Sequence, residues 1–271
     1  MQRPAWAPHG IDITVPSVSR IYDYYLGGSH NFEVDREAAR RAMEFMPGLP
    51  KIMQANRAVM RRAVRYALDQ GITQFLDIGS GIPTFGNVHE VAQRASPGAR
   101  VVYVDHDPVA VAHSKAVLEG NPDTAVLAAD LRTPKDILTS AEVRELLDLD
   151  RPVALLLIAV LHFVEDDDDP VGAVAELSAA LAPGSLLVVT HASYEGMPIS
   201  TDRADGAVDV YRNEVRNPLI MRSHEEIARF FTGYETVEPG IVPMPLWRPQ
   251  TAPEDEDPYT FAGYVGVGRK A

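Results

Sequence analysis

The stretch Phe75-Leu76-Asp77-Ile78-Gly79-Ser80-Gly81-Ile82-Pro83-Thr84 constrains the fold more than any other part of the chain. Phe75, Leu76 and Ile78 read as a buried strand, and a helix-compatible segment, Asn87 to Arg94, follows closely. The glycines between them let the backbone turn sharply and approach a ligand, while the start of the next helix offers unpaired N–H groups. In α/β folds this order opens a nucleotide pocket. Asp77 narrows the ligand, because a carboxylate just before the turn repels a pyrophosphate and suits a nucleotide-like ligand that carries an amino group.

From Gln74 onward, strand-like and helix-like segments alternate, which predicts an α/β fold with a doubly wound, mostly parallel sheet. The expected strands are Gln74–Ile78, Arg100–Asp105, Thr124–Ala128, Val153–Ile158, Ser185–His191, Thr236–Ile241 and Ala262–Arg269, making a seven-stranded sheet. Helices are expected over Asn87–Ala95, Pro108–Glu119, Ala141–Leu146 and Pro170–Leu181. No helix separates the last two strands, so the sheet should finish on a reversed strand. Ala192 to Arg222 is a polar insertion too long for a bare loop, and Ser223 with Glu226 then forms a capping box.

Upstream of the sheet the pattern is helical. Met1 to Pro16, broken by Pro4 and Pro8, is expected to be an extended arm. Ser17 to Leu26 reads as a short helix stopped by Gly27-Gly28, and its Tyr22, Tyr24 and Tyr25 cannot share one face. Asp35 is expected to cap a helix reaching about Met46, which Pro47-Gly48-Leu49-Pro50 ends. A longer helix, Lys51 to Gln70, carries Ile52, Ala55, Val59, Ala63 and Tyr66 on one face. Residues 1–72 are thus expected to form an arm and helical cap on a core of residues 73–271, in one folding unit.

Composition removes several function classes. Across 271 residues, hydrophobic side chains make up 46%, enough for a sizeable core. A formal net charge of −13 argues against binding along a nucleic-acid backbone. With no cysteine, there are no disulfides, zinc–thiolate sites or thiol nucleophiles. The start, Met1 to Trp6, lacks the apolar segment of a signal peptide, and the longest apolar run, Val153 to Leu161, is about half the ~20 residues a membrane span needs. A cytoplasmic protein acting on small molecules, with no membrane or nucleic-acid partner, is the expectation; oligomeric state is not legible.

Chemistry-bearing residues recur at the carboxyl ends of successive strands, the edge where open parallel sheets bind ligands. The glycine turn ends the first strand. The second ends in Asp105, suited to accept both hydroxyls of an adenosine ribose, with His106 beside it and Asp107 placed to cap the helix at Pro108. After the third come Asp130, for an adenine amino group, and Leu131, for a ring face. After the fourth, Ala159-Val160-Leu161-His162-Phe163 would line the floor beneath the reacting end.

This series resembles the class I S-adenosylmethionine-dependent methyltransferases, in which a strand ending Asp-x-Gly-x-Gly cradles the methionyl part of the cofactor. The resemblance implies a Rossmann-like sheet with a reversed last strand and S-adenosyl-L-methionine as cofactor. It assigns Asp77, Gly79 and Gly81 to the methionine end, Asp105 to ribose, and Asp130 with Leu131 to adenine; Ser80, His106 and Ala159 are further expected cofactor-binding residues. Arg20-Ile21-Tyr22-Asp23-Tyr24, Gly27-Gly28 with Asn31-Phe32, and Gly86-Asn87-Val88-His89-Glu90 are similar to one subfamily of S-adenosyl methyltransferases, long catalogued as a domain of unknown function. That likeness covers nearly the whole chain and brings no established acceptor. Pro83 stands where a third glycine is common in the wider class, which stiffens the loop.

The remaining candidates lie on the acceptor side. His162 is the expected general base if the acceptor needs one, with His30 and His191 weaker candidates. Tyr22 and Arg57 of the cap are expected near the cofactor, Arg57 against its carboxylate. Glu165-Asp166-Asp167-Asp168-Asp169 reads as a solvated loop and cap before Pro170, with no metal. Met197, Tyr211, Arg212 and Met221 of the insertion either shape an acceptor pocket or cover the sheet edge. The expected function is methyl transfer from S-adenosylmethionine to a small or medium acceptor. Its rivals are a catalytically silent S-adenosylmethionine or S-adenosylhomocysteine binder and an NAD(P)-dependent oxidoreductase. The last would need glycine where Thr84 stands.

Overall fold

A computed structural model describes residues 12–83, 86–198, 200–215, 217–250 and 256–271. The arm before residue 12 and the far end of the glycine turn at Thr84 lie outside the described residues. Five parallel strands form the centre: β1 (Gln74–Ile78), β2 (Arg100–Asp105), β3 (Thr124–Ala128), β4 (Ala154–Ile158) and β5 (Leu186–Ala192). The others are β6 (Tyr234–Thr236), the two-residue β7 (Val242–Pro243) and β8 (Gly263–Lys270). The order is β3-β2-β1-β4-β5-β8-β6, with β7 also pairing β8. Only β8 runs against the rest, as the reversed-strand expectation required.

The sheet is wound with helices on both faces because its strands are apolar on both. Phe75, Val101, Tyr103, Leu156 and Val188 belong to one core, whereas their neighbours Leu76, Val102, Leu155 and Val189 belong to the other. That is the two-residue period of a strand buried on both sides. The first core is covered by α1 (Val18–Tyr25), α2 (Glu33–Phe45), α3 (Leu49–Asp69) and α4 (Val88–Ala95). The second packs beneath α6 (Pro134–Thr139), α7 (Ala141–Leu146), α8 (Pro170–Ala179) and α10 (His224–Ala228). Between β2 and β3 runs α5 (Pro108–Val117). The helical cap therefore shares one apolar core with the sheet.

Asp35 caps its helix as expected, from within the first turn: fully buried, it accepts from the N–H groups of Phe32 at 2.7 Å and Ser17 at 2.9 Å and from Arg20 Nε at 3.1 Å. Two other local expectations need correction. The sixth strand covers Tyr234–Thr236, not Thr236–Ile241, because Pro239-Gly240 turns the chain and Gly240 N–H donates back to the Val237 carbonyl at 2.8 Å. The short helix α6 went unforeseen; Pro134 opens it and six residues are too few for a visible period.

The insertion is a structured element. It carries α9 (Thr201–Val210), continued by a π-helical turn over Tyr211–Val215, and packs on α2 of the cap. Gly206 allows the close approach, since a Cβ there would fall 2.3 Å from the Phe45 ring. Arg41 of α2 pairs with Glu214, its Nε 2.7 Å from the carboxylate. Among the described residues, no helix is long and apolar enough to cross a membrane.

Removing the Asp35 carboxylate leaves the buried Arg20 without its counter-charge and strands two N–H groups. Asp35→Ala is expected to destabilise the protein by about 3–5 kcal/mol in urea unfolding. A loss below about 1 kcal/mol would show that the Arg20–Asp35 pair does not hold the cap.

Candidate functional site

At the carboxyl edge of the parallel strands lies a cleft of about 440 Å³. Its floor is the turn after β1. Gly79 and Gly81 both have positive φ, at 72° and 67°, which side chains disfavour. A Cβ on Gly79 would lie 2.3 Å from Val160 Cγ2, so this glycine lets the loop after β4 close on the turn. A Cβ on Gly81 would meet none of the described residues within 4 Å, and this glycine lines the cleft. Ile82 turns the other way and packs with Phe32, Val109 and Ala110.

Asp77 projects from the same face of β1 as Phe75, towards the cap. It is buried, and desolvation pushes its carboxyl up to about 7; the Arg57 guanidinium opposes that shift and the Asp105 charge reinforces it. Arg57, on α3, stands with its Cζ 5.6 Å from the Tyr22 ring centroid. Two buried atoms here have no hydrogen-bond partner among the described residues: Arg57 Nε, a donor, and Asn56 Oδ1, an acceptor. Such orphans are costly, and a ligand with matching polar groups would satisfy them.

The Asp105 carboxylate is held by two backbone N–H groups, Gly81 at 2.7 Å and Asp107 at 2.8 Å. Burial raises its affinity for a proton, and those two bonds pull it back. Each oxygen keeps a lone pair for a ligand hydroxyl. Asp107 caps α5 by accepting from Val109 N–H at 2.7 Å. His106, Asp130 and Leu131 continue the wall. Arg132 reaches Asp130 at 2.6 Å and Asp168 at 3.5 Å, joining the ends of β3 and β4 and holding the Asp130 carboxyl below its ordinary range. Ala159, at the exit of β4, is forced to a φ of 56°, its N–H donating to Thr190 Oγ1 at 2.8 Å.

The structure thus brings Tyr22, Arg57, Asp77, Gly79, Ser80, Gly81, Asp105, His106, Asp130, Leu131 and Ala159 to one cleft. His162 is the exception. It lines a second cavity, of about 90 Å³, that adjoins the cleft. Its Nδ1 accepts from the Ala192 N–H at 3.3 Å, which puts the ring proton on Nε2 and makes that nitrogen a donor. Burial, with His191 and Arg222 nearby, drives its pKa well below 6.5. This geometry does not suit the expected base.

Arg222, which nothing in the sequence reading marked, organises this region. Buried at the end of the insertion, it donates to the carbonyls of Leu161 at 3.0 Å and Val164 at 2.9 Å, to His191 Nε2 at 2.9 Å and to Asp166 at 2.5 Å. It thereby fixes the loop that carries His162. The acidic run from Glu165 to Asp169 is exposed and ends in the expected cap, Asp169 accepting from Gly172 N–H at the start of α8 at 2.9 Å, and beyond that expectation Asp166 and Asp168 hold arginines. Of the insertion residues, Tyr211 and Met221 line the second cavity, and Arg212 instead pairs with Asp209 at the surface. His30 stacks on His113, at 3.7 Å between ring centroids, outside both cavities.

A family model described as S-adenosyl methyltransferase matches residues 4–271. A crystal structure of a methyltransferase candidate from Thermobifida fusca YX shares 42% identity, covers 98% of this chain and 99% of its own, and superposes with a TM-score of 0.89. A DUF574 family protein from Streptomyces avermitilis MA-4680 is also 42% identical, covering 96% of this chain and 99% of its own at a TM-score of 0.90. The fold extends to Burkholderia thailandensis 1,6-didemethyltoxoflavin-N1-methyltransferase, solved with 1,6-didemethyltoxoflavin and S-adenosylhomocysteine (17% identity, 87% of this chain and 89% of that one, TM-score 0.50). No curated protein matches the chain.

His191 yields an acid-stability prediction. Burial lowers its pKa from 6.5 to about 4, so between those values the unfolded chain binds a proton that the native one refuses. Its contribution is intact above pH 6.5 and is lost as pH falls towards 4, at up to about 1.4 kcal/mol per pH unit. The stability gap between wild type and His191→Gln should therefore narrow over that window in urea unfolding. A gap independent of pH would mean that His191 is not held neutral.

Proposed function

We propose that this chain, which belongs to the S-adenosyl methyltransferase family, binds S-adenosylmethionine in the cleft and transfers its methyl group to a small or medium-sized acceptor. The observation that carries the reading is the pairing of a buried, desolvated Asp77 with an Arg57 whose Nε lacks a partner. A zwitterionic amino-acid end fits that pair, its ammonium on Asp77 and its carboxylate on Arg57. The Asp105 lone pairs suit the ribose hydroxyls, and Asp130 with Leu131 suits adenine.

The cofactor, when bound, supplies a methyl group already activated on a sulfonium. The chain's part is to bind, orient and exclude water. Gly81 leaves backbone room for the methionine end, while Tyr22 and Phe163 wall the cleft beside Ala159. His162 then serves the acceptor side as a hydrogen-bond donor.

Calorimetric titration tests this reading. S-adenosylmethionine and S-adenosylhomocysteine are expected to bind, with Asp105→Ala weakening both at least tenfold, about 1.4 kcal/mol. Binding of NAD with no response to either sulfur nucleotide would overturn the proposal. The pH dependence is a separate check. Asp77 titrates near 7 in the free protein and is held ionised beside a bound ammonium, so affinity is complete above about pH 7 and falls as pH drops below it. In Asp77→Asn, affinity should be lower and this slope absent; a slope equal to that of wild type would assign the titration to another group.

A further inference from the structure

The second cavity meets the cleft along Val18, Tyr22, Asn56, Ala159 and Phe163, which line both. Its chemistry is the opposite of the cleft's. No Asp, Glu, Lys or Arg is among its described lining residues. Its two histidines, His162 and His191, are held neutral by burial. Met46, Met53, Met221 and Met244 form much of the wall, and their unbranched side chains adapt to the shape of an occupant. A charged group placed here would lose its water and find no counter-charge.

One polar atom at the junction calls for a donor. Asn56 is 3% exposed and its Oδ1 has no partner. The amide orientation follows from its neighbours: Tyr22 Oη donates to the Met53 carbonyl at 3.3 Å, and Asn56 Nδ2 donates to Tyr22 Oη at 2.9 Å. A carbonyl can only accept, so the chain of bonds runs one way and leaves Oδ1 free.

We infer that this cavity holds the methyl acceptor, and that the acceptor is an uncharged, weakly basic amine on a compact apolar body, its N–H donating to Asn56 Oδ1. The assignment rests on the methyl-transfer reading of the adjoining cleft. Nitrogen follows from proton bookkeeping. Asn56 at the junction has no basicity, Tyr22 there is hydrogen-bonded to a carbonyl, and His162 Nδ1 in the cavity wall is engaged, so a hydroxyl held on Asn56 would have no adjacent group to take its proton. A neutral amine needs none. Its lone pair forms the bond to the methyl carbon, the carbon–sulfur bond breaks with its electron pair remaining on sulfur, and the methylated ammonium releases its proton to water on leaving. An N–H held by Asn56 Oδ1 leaves that lone pair free.

The test uses the full-length protein saturated with S-adenosylhomocysteine and four probes of one shape: para-toluidine, toluene, para-cresol and para-aminobenzoate. Para-toluidine should bind about tenfold more tightly than toluene, and para-aminobenzoate, which carries a charge, more weakly than either. Asn56→Leu should abolish the preference for toluidine over toluene. Leu219→Trp, which fills the cavity from its wall, should weaken both by tenfold or more, with a circular-dichroism spectrum and cooperative thermal unfolding like those of wild type showing that each variant is folded. With S-adenosylmethionine in place of the product, mass spectrometry should find the new methyl on the toluidine nitrogen. Tighter binding of para-aminobenzoate, or toluidine binding indifferent to Leu219→Trp, would overturn the pocket assignment; methylation of cresol and not toluidine would overturn the choice of nitrogen. Failure of S-adenosylhomocysteine itself to bind, with probe binding still dependent on Asn56 and Leu219, would instead remove the cofactor reading and leave the pocket standing.

Discussion

The site depends on one costly placement, the Asp77 carboxylate buried at the end of β1. A strand that is apolar beyond Gln74 carries this single acid towards the cap, where desolvation disfavours its charge. Arg57 partly compensates, and it comes from α3, not from the sheet. The helical cap therefore lines the cleft together with the sheet. Its burial in the same apolar core as the sheet holds Arg57, Asn56 and Tyr22 in place, and the Asp35–Arg20 network holds α1 against α2.

Around that placement the molecule divides its polar and apolar chemistry between two adjoining spaces. The cleft is lined by acids and arginines, some already held, Asp105 by two backbone N–H groups and Asp130 by Arg132, while Arg57 Nε has no partner among the described residues. The second cavity is neutral, roofed where α9 packs on α2 and backed by Arg222, which spends its hydrogen bonds on the loop after β4 and on His191. This separation suits a charged cofactor meeting an uncharged partner at a shared wall.

Much of this was legible in the sequence. Strands rich in apolar residues read as continuous runs, so β1 to β5, the half-buried edge strand β3 included, fall within a residue of their expected limits. Acids at the ends of those strands then stand at one edge by topology alone. What escaped depends on contacts between distant parts of the chain. Arg222 acts on Leu161 and Val164, some sixty positions earlier, and its polar insertion shows no period to mark it. Asn56 did carry a signal: four residues after Ile52 and three before Val59, it is an amide on the apolar stripe of α3. His162 shows the limit of reading position. The loop after β4 was correctly placed at the cleft, but its short helical turn, pinned by Arg222, directs that ring into the neighbouring cavity.

A crystal structure of the complex with S-adenosylhomocysteine tests the central claim most directly. The account predicts the homocysteine ammonium within about 3 Å of the Asp77 carboxylate, its carboxylate on Arg57, both ribose hydroxyls on Asp105, and the methionine-lined cavity left open beside the sulfur. A homocysteine end lying away from Asp77 and Arg57, or a nucleotide filling the second cavity, would contradict it.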